Sequence, residues 1–284
     1  MSTESTQLVS LPSGESITIP TRDGASLRCV ISGEGPPVVL AHGYLHDIGS
    51  NNLLRAELNA RGYKVYGFEQ RGHGESTIGN EGVSASVMAR DYADVFEYLN
   101  LENAVLFAHS MGGFLSLIFQ MEYPESSAKH LQGSVIATAH AGRVADQNIQ
   151  NMILARLIQL RLGPIIFKSP LLNMKISETV FSPGASKDFV KANLQLWSRQ
   201  SITPLTPILF DQIHHDYYPR LSEIKLPTIV ISAQADQTCP AWHSEKIAAG
   251  IEGAELVELE GVGHTVVLEA PEACADTIVS LFAE

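Results

Sequence analysis

A serine at a predicted strand-to-helix junction is the first residue whose surroundings point to chemistry. Residues 104–113 (AVLFAHSMGG) predict a buried strand followed, after Ser110, by a helix. A sharp turn between two such elements exposes the serine hydroxyl and needs small neighbours, here Ala108 and Gly112. The helix N-terminus and the Met111 N–H then face the same point as the hydroxyl and can stabilise an anion. The pattern predicts a nucleophile, although a serine that only caps a helix has similar local sequence.

A second segment can complete the anion site. Residues 39–44 (VLAHGY) end an earlier predicted strand, and acyl transfer needs a second backbone N–H donor from such a neighbouring loop. Gly43 permits a tight turn there, so the Tyr44 N–H is the natural second donor. We interpret His42, in the same run, as a buried histidine that holds the loop by hydrogen bonds rather than as a catalytic group.

Two later loops carry an acid and a histidine. Asp236 follows a predicted strand in a loop that ends at Pro240, where a carboxylate can orient an imidazole. His264 lies in a loop after the last predicted strand, and Gly261 and Gly263 allow that loop to bend and present the ring. Taken singly, the aspartate fits a turn and the histidine fits a structural role. Their order after the serine, each at the end of its own strand, favours a catalytic triad.

The elements that must position these residues alternate between strands and helices. An Asp-Gly hairpin signal joins two short strands near the N-terminus. Alternation of the later strands with helices predicts an α/β fold with a mostly parallel, twisted sheet flanked by helices. The predicted strands are 16–20, 26–32, 38–41, 64–69, 104–109, 228–233 and 255–259, and the predicted helices are 53–61, a helix capped by Ser84, 112–123, 241–249 and 271–283.

Residues 140–215 interrupt this alternation, since they are helical in character and punctuated by prolines. We therefore predict a core formed by residues 1–139 and 216–284 and a helical cap over 140–215, above the sheet edge where ligands of open α/β sheets bind. The amphipathic stretch 149–162 is the clearest helix of the cap. The apolar side chains of the whole cap indicate a hydrophobic pocket, although most also fit packing onto the core. They are Ile153, Leu157, Leu160, Ile165, Ile166, Phe167, Phe181, Phe189 and Trp197.

Composition and charge exclude several other classes of function. The chain has 284 residues, 45% of them hydrophobic, which is enough for a large core. Its net charge of −12 opposes binding to nucleic acids and anionic membranes, and no apolar run reaches the ~18 residues of a membrane span. The N-terminus has no secretory pattern, and the 3 cysteines form no pairing motif. We expect a soluble, cytoplasmic protein without nucleic-acid partners or stable membrane insertion.

Together the motifs resemble those of the α/β-hydrolase family, in particular single-domain esterases and lipases, over about residues 20–284. The chain order serine, aspartate, histidine is that of this fold. Two positions depart from the family's usual pattern: Ala108 stands where glycine is usual, and Glu69 where aspartate is usual. We expect the second change to alter a structural contact rather than the chemistry. The matching features are His42-Gly43, residues 69–76 (EQRGHGES), residues 109–113 (HSMGG), Asp236 with Pro240, and Gly263-His264.

The resemblance implies a serine hydrolase. Ser110 attacks a carbonyl carbon while His264 takes its proton as general base. Asp236 fixes the imidazole tautomer, and the Tyr44 and Met111 N–H groups hold the oxyanion. Water then resolves the acyl-enzyme. Because the side chains of the cap indicate a hydrophobic pocket, the expected partner is a small-molecule apolar ester.

Several chemistries on the same fold stay open. C–C bond hydrolases and cofactor-free perhydrolases or haloperoxidase-like enzymes share the elbow motif, and thioesterase, lactonase, amidase or acyltransferase activity also fits the fold. A non-catalytic receptor would keep the pocket without turnover. We expect no metal and no organic cofactor, because the chain has no HExxH motif and the adjacent His214 and His215 cannot share one helix face.

Overall fold

The structure, a computed structural model, describes residues 3–160 and 169–283. An eight-stranded sheet forms its centre, in the order β1-β2-β4-β3-β5-β6-β7-β8. Strand β2 is antiparallel to both of its neighbours, and the other pairs are parallel, so the predicted mostly parallel sheet is confirmed. The strands are β1 (Glu15–Pro20), β2 (Ser26–Ser32), β3 (Pro37–Ala41), β4 (Lys64–Phe68), β5 (Ala104–His109), β6 (Leu131–Ala137), β7 (Thr228–Ala233) and β8 (Glu255–Leu259).

Helices connect the strands and cover the sheet. Across the described residues, no helix combines the length and the apolar character that crossing a membrane requires. The helices are α1 (Thr3–Leu8), α2 (Asn52–Ala60), α3 (Ala85–Leu99), α4 (Met111–Glu122), α5 (Pro124–His130), α6 (Ile149–Gln159), α7 (Pro170–Thr179), α8 (Lys187–Ser198), α9 (Ile202–His214), α10 (Trp242–Gly250), α11 (Val266–Glu269) and α12 (Pro271–Ser280).

Each face of the sheet has its own hydrophobic core, and strand β5 contributes to both. Leu106 packs on one face with Phe96 of α3 and Phe119 of α4. Val105 and Phe107 point to the other face, in the cluster that also holds apolar residues of α2 and α12. Because both faces are covered, every residue of β5 is buried, which explains why its sequence is continuously apolar rather than alternating.

Most predicted elements are present, and one strand was missed. Helix α3 begins as predicted after Ser84, whose hydroxyl accepts the N–H of Val87 at 3.4 Å. Strand β6 was not predicted, because Gly133 and Ser134 interrupt its apolar run. The structure resolves that conflict by burying the Ser134 hydroxyl 3.3 Å from Oγ1 of Thr228 on the adjacent strand.

Helices α6 to α9 lie in sequence between β6 and β7, within the segment predicted to be a cap. A two-residue bridge between Gly142 and Asp216 joins the chain where it leaves the sheet region and where it returns. Helix α6 covers most of the predicted stretch 149–162. The end of that stretch lies outside the described residues, as do the predicted apolar residues Ile165, Ile166 and Phe167.

A buried ion cluster fastens the N-terminal hairpin to helix α3. The guanidinium of Arg71 is fully buried and donates two hydrogen bonds to each of two carboxylates, 2.7 Å and 2.7 Å to Asp23 and 2.8 Å and 2.6 Å to Asp91. Asp23 belongs to the hairpin turn and Asp91 to α3. Hydrogen bonds from Arg71 hold the pKa of Asp23 well below its usual range.

We expect Arg71→Leu to lower the free energy of unfolding by about 3–5 kcal/mol, because it leaves two buried carboxylates without a counter-charge. Arg90→Leu is the matched control, since the Arg90–Glu81 pair is partly exposed and its loss should cost under about 1 kcal/mol. Urea unfolding followed by circular dichroism measures both values. Equal, small losses in the two variants would contradict a structural role for the cluster.

Candidate active site

Ser110 occupies the sharp turn between β5 and α4. Its φ of 56° and ψ of −119° lie in a region that residues other than glycine rarely adopt. The turn is tight because α4 approaches the end of β3: a Cβ on Gly112 would lie 2.8 Å from the carbonyl oxygens of both Ala41 and His42. The small residue predicted at this position is therefore required by the packing.

The structure brings Ser110, His264 and Asp236 into one hydrogen-bonded line. Nε2 of His264 is 2.8 Å from the serine Oγ, and Nδ1 of the same ring is 2.8 Å from Oδ2 of Asp236. The other oxygen of that carboxylate accepts the N–H groups of Thr238 and Cys239 at 2.7 Å and 2.8 Å. These contacts favour the tautomer with the proton on Nδ1, which leaves Nε2 free to accept the serine proton.

Both predicted oxyanion donors lie on backbone close to Ser110. Met111 is the first residue of α4, so its N–H has no acceptor within the helix. On the other side, a Cβ on Gly43 would lie 3.2 Å from the Cβ of Ser110, so the chain at Gly43 and Tyr44 passes directly beside the serine. The start of α4 and the chain at Gly43 and Tyr44 thus flank the serine hydroxyl on two sides.

His42 holds the loop that carries Tyr44. Its Nε2 accepts the N–H of Gln70 at 3.0 Å, and its Nδ1 donates to the carbonyl of Gly43 at 2.8 Å. The Gln70 amide donates in return to the His42 carbonyl. Burial lowers the pKa of His42 to about 3, so the ring stays neutral. These contacts agree with the loop-holding role expected from the sequence.

The same loop is also held from helix α8, which the sequence did not indicate. Nε2 of His46 is 2.9 Å from Oδ1 of Asn193, and Nδ2 of Asn193 donates to the Ser177 hydroxyl at 3.0 Å. A second contact joins Arg199 to the buried carboxylate of Asp47 at 3.2 Å. These pairs connect residues far apart in the chain and have no local sequence signature.

A cavity of about 480 Å³ lies over Ser110. It is bounded by the 43–46 loop, the serine, His264 and the inserted helices. Among the residues predicted to form an apolar pocket, Ile153, Leu157 and Trp197 line it, whereas Phe181 and Phe189 pack against each other and Leu160 is exposed. Further apolar lining comes from Leu172, Ile176, Val180, Leu209 and Ile213. No aspartate or glutamate is among the described residues that line the cavity.

Asp236, Cys239 and His264 bring three potential metal-ligand atoms within 4.8 Å of one another. Two of these residues already satisfy each other by the hydrogen bond described above. Burial and the adjacent Asp236 raise the pKa of the Cys239 thiol well above its ordinary value, which disfavours the thiolate that binds metals. We therefore assign Asp236 and His264 to the hydrogen-bonded line with Ser110 rather than to a metal site.

The fold and this geometry define an α/β hydrolase. The family model described as serine aminopeptidase S33 (Hydrolase_4) matches residues 36–271, and the chain belongs to this family. The resemblance drawn from the sequence motifs is thereby confirmed.

Three relatives illustrate the range of the family. The chain is 26% identical over 267 residues to the AB hydrolase superfamily protein YisY of Bacillus subtilis, covering 89% of this chain and 94% of that protein. It is 26% identical over 258 residues to a non-heme haloperoxidase of Rhodococcus erythropolis, covering 85% and 90%. It is 25% identical over 228 residues to the 2-hydroxy-6-oxononadienedioate/2-hydroxy-6-oxononatrienedioate hydrolase of Escherichia coli O139:H28, covering 78% and 77%.

Solved structures agree on the fold. An esterase from Exiguobacterium antarcticum superposes with a TM-score of 0.83 at 24% identity, covering 94% of this chain and 99% of that chain. A bromoperoxidase from Bacillus anthracis superposes with a TM-score of 0.80 at 18% identity, covering 95% and 100%. At these identities the similarity shows the architecture and leaves the substrate open.

Glu69, where relatives of this type usually carry aspartate, makes a buried structural contact. Its Oε2 accepts the N–H of Glu75 at 2.6 Å, while Oε1 has no hydrogen-bond partner among the described residues and lies 3.6 Å from Nη1 of Arg28. The carboxyl lies so close to Gly74, whose φ is 55°, that a Cβ there would overlap it. Burial raises the pKa of Glu69 to about 7, because the ionised form loses hydration that its contacts do not replace.

The raised pKa of Glu69 predicts that the free energy of unfolding depends on pH. A carboxyl that binds its proton more tightly when folded stabilises the fold below its ordinary pKa and loses that contribution as pH rises towards 7. Between pH 4.5 and pH 8 we expect the unfolding free energy of the wild type to fall by about 2–3 kcal/mol relative to Glu69→Gln. Glu252→Gln, at an exposed position paired with Lys225, is the control. Parallel stability curves for wild type and Glu69→Gln would contradict the prediction.

Proposed function

We propose that this protein is a serine hydrolase that cleaves carboxylic esters of apolar small molecules through an acyl-enzyme. The observation that carries the proposal is the line from Ser110 through His264 to Asp236, with both hydrogen bonds at 2.8 Å, beneath a largely apolar cavity. This arrangement has a nucleophile, a base and a group that orients the base, in the geometry that acyl transfer requires.

In the first half-reaction, Ser110 Oγ attacks the ester carbonyl carbon as its proton moves to Nε2 of His264. The Asp236 carboxylate stabilises the imidazolium that results. The carbonyl oxygen becomes an oxyanion, which accepts hydrogen bonds from the N–H groups of Tyr44 and Met111. The C–O bond to the alcohol then breaks, the alcohol takes the proton from Nε2, and the acyl group stays on the serine.

In the second half-reaction, water takes the place of the alcohol. His264 removes a proton from the water as its oxygen attacks the acyl carbon, and the same two N–H groups hold the oxyanion. The bond to Ser110 Oγ then breaks and the serine recovers its proton from Nε2. The carboxylic acid leaves and the resting state is restored, so the cycle needs no external cofactor.

The lining of the cavity favours apolar esters over peptides with a free amino terminus. An α-ammonium group inside the cavity would need a carboxylate partner, and none of the described lining residues is acidic. Apolar side chains from the inserted helices instead offer surface for an acyl or alcohol chain. We propose that residues 140–215 form a cap that sets this preference, over a core of residues 1–139 and 216–284.

A second candidate function uses the same residues. This candidate is perhydrolysis or C–C bond hydrolysis, and the similarity to a haloperoxidase and to a C–C bond hydrolase supports it. In perhydrolysis, a carboxylic acid acylates Ser110 with loss of water. Hydrogen peroxide then attacks the acyl carbon, the acyl group leaves as a peracid, and the serine recovers its proton. Peracid formation from acetate and hydrogen peroxide, faster than ester hydrolysis by the same sample, would favour this candidate over the esterase.

The experiment that tests the proposal is labelling with a fluorophosphonate, followed by peptide mass spectrometry. We expect the label on Ser110 and no label in Ser110→Ala, which should still fold because the hydroxyl adds chemistry rather than core volume. A folded wild-type protein that resists the label would contradict the proposal and favour a non-catalytic receptor. Label without turnover of p-nitrophenyl esters would favour C–C bond hydrolysis.

Triad variants should differ in severity. We expect kcat for a p-nitrophenyl ester to fall about 10⁶-fold in Ser110→Ala and His264→Ala, and about 10⁴-fold in Asp236→Asn, as in other serine hydrolases whose triad acts as a unit. The smaller loss reflects a base that is wrongly oriented rather than absent. Full activity of Asp236→Asn would contradict its assignment as the acid.

A series of p-nitrophenyl esters tests the substrate class. We expect kcat/KM to rise from acetate to medium-length acyl chains, by up to about 4-fold per methylene while the chain fills the cavity, since a buried methylene contributes about 0.8 kcal/mol. The rates should level off once the cavity is full. A maximum at acetate would contradict an apolar acyl pocket.

A further inference from the structure

The main-chain carbonyl of His264 accepts two hydrogen bonds from side chains that the proposed mechanism does not use. Nε2 of His109 lies 2.9 Å from this oxygen, and the hydroxyl of Thr138 lies 2.9 Å from it. His109 is the last residue of β5 and Thr138 follows β6, so the two donors come from adjacent strand ends. Both side chains are buried.

Thr138 is held in a strained conformation. Its φ is 43°, in the left-handed region, which is a genuine outlier for a β-branched residue. Its N–H donates to the carbonyl of Ile231 on β7 at 2.8 Å, which fixes the backbone while the hydroxyl reaches His264. Strain of this kind persists where the surroundings impose it, and it is concentrated at functional sites.

One ring nitrogen of His109 donates a hydrogen bond, and the other is unprotonated. Since Nε2 donates to the His264 carbonyl, Nδ1 carries no proton, and it is buried without a hydrogen-bond partner among the described residues. The ring lies 5.1 Å from the His264 ring and stacks on His46 at 6.0 Å. Burial, together with His264, lowers the pKa of His109 well below its ordinary value, so no second cation opposes the His264 imidazolium.

The loop that carries His264 needs such support. Its ring must meet Ser110 and Asp236 at once, yet residues 260–265 lie in no regular helix or strand, and Gly261 has a φ of 67°. A displacement of about 1 Å at a reacting group can slow catalysis about 100-fold. Two donors on one carbonyl fix the chain at the residue whose ring has to be aligned.

We propose that His109 and Thr138 are positioning residues, which hold the His264 main chain so that its imidazole spans Ser110 and Asp236. The proposal rests on the proposed function, because His264 is the general base of that mechanism. It predicts effects on kcat for both residues. For Thr138, which is not among the described residues that line the cavity, it also predicts little effect on KM.

The test removes each donor and then restores it. His109→Leu and Thr138→Val delete the donors, whereas His109→Gln keeps an N–H near the Nε2 position and Thr138→Ser keeps the hydroxyl. For a p-nitrophenyl ester, we expect the two deletions to lower kcat about 10–100-fold, with the KM of Thr138→Val within about 3-fold of wild type. The fluorophosphonate labelling rate should fall in proportion, and the Gln and Ser variants should recover most of both rates.

His130→Leu is the matched control. Nδ1 of His130 donates to the carbonyl of Leu101 at 2.6 Å in the core, so this variant also loses a buried histidine–carbonyl hydrogen bond. We expect it to lower the melting temperature without lowering kcat. Melting temperatures of all variants identify those that fold.

A second readout does not depend on turnover. The proton on Nδ1 of His264 should give a downfield NMR resonance in the wild type, which broadens or shifts upfield in His109→Leu and Thr138→Val. Wild-type kcat and an unchanged resonance in both folded variants would overturn the proposal, as would losses that Gln and Ser fail to recover. Failure of the wild type to react with fluorophosphonate would instead refute the proposed function, and the resonance would still report on the positioning of His264.

Discussion

The approach of helix α4 to the end of strand β3 is the constraint on which the rest of the site depends. It leaves no room for a side chain at Gly112, and it requires Ser110 to adopt a conformation that costs about 1–3 kcal/mol. Burial of β5 in both cores and of α4 in one of them offsets that strain. The same approach brings the helix N-terminus, the serine hydroxyl and the loop at Gly43 close to one another. The chemistry proposed for the site follows from this packing.

Neutral histidines surround the site and hold its loops. Burial lowers the pKa of His42 and His73 to about 3 and that of His46 to about 4, and it lowers that of His109 well below its ordinary value. An imidazole is suited to this task because it is rigid and can donate from one nitrogen while it accepts at the other. Because the rings stay uncharged, they add no repulsion against the imidazolium that the proposed mechanism forms at His264.

Local sequence patterns predicted the elements that carry the reacting groups, but not the contacts that support them. Strand β5 and the residues after it were predictable, since a fully buried strand, small neighbours and a serine form one continuous signal. Strand β6 was not, because Ser134 satisfies its hydroxyl through Gln120 of α4 and Thr228 of a strand distant in sequence. The hydrogen bond between Asn193 and His46 was not predictable for the same reason, since it joins residues far apart in the chain. The strained conformation of Thr138 likewise depends on contacts with distant residues, His264 and Ile231.

The central claim is that Ser110 carries the acyl group during turnover. The most direct measurement is rapid mixing with p-nitrophenyl butyrate, acid quenching within the first turnover, and mass spectrometry of the peptides. The account predicts a butyryl adduct on Ser110, accompanied by a burst of p-nitrophenol close to one equivalent per active site if deacylation is the slower step. Release of product with no adduct on this serine at any quench time, or with the adduct on another residue, would contradict it.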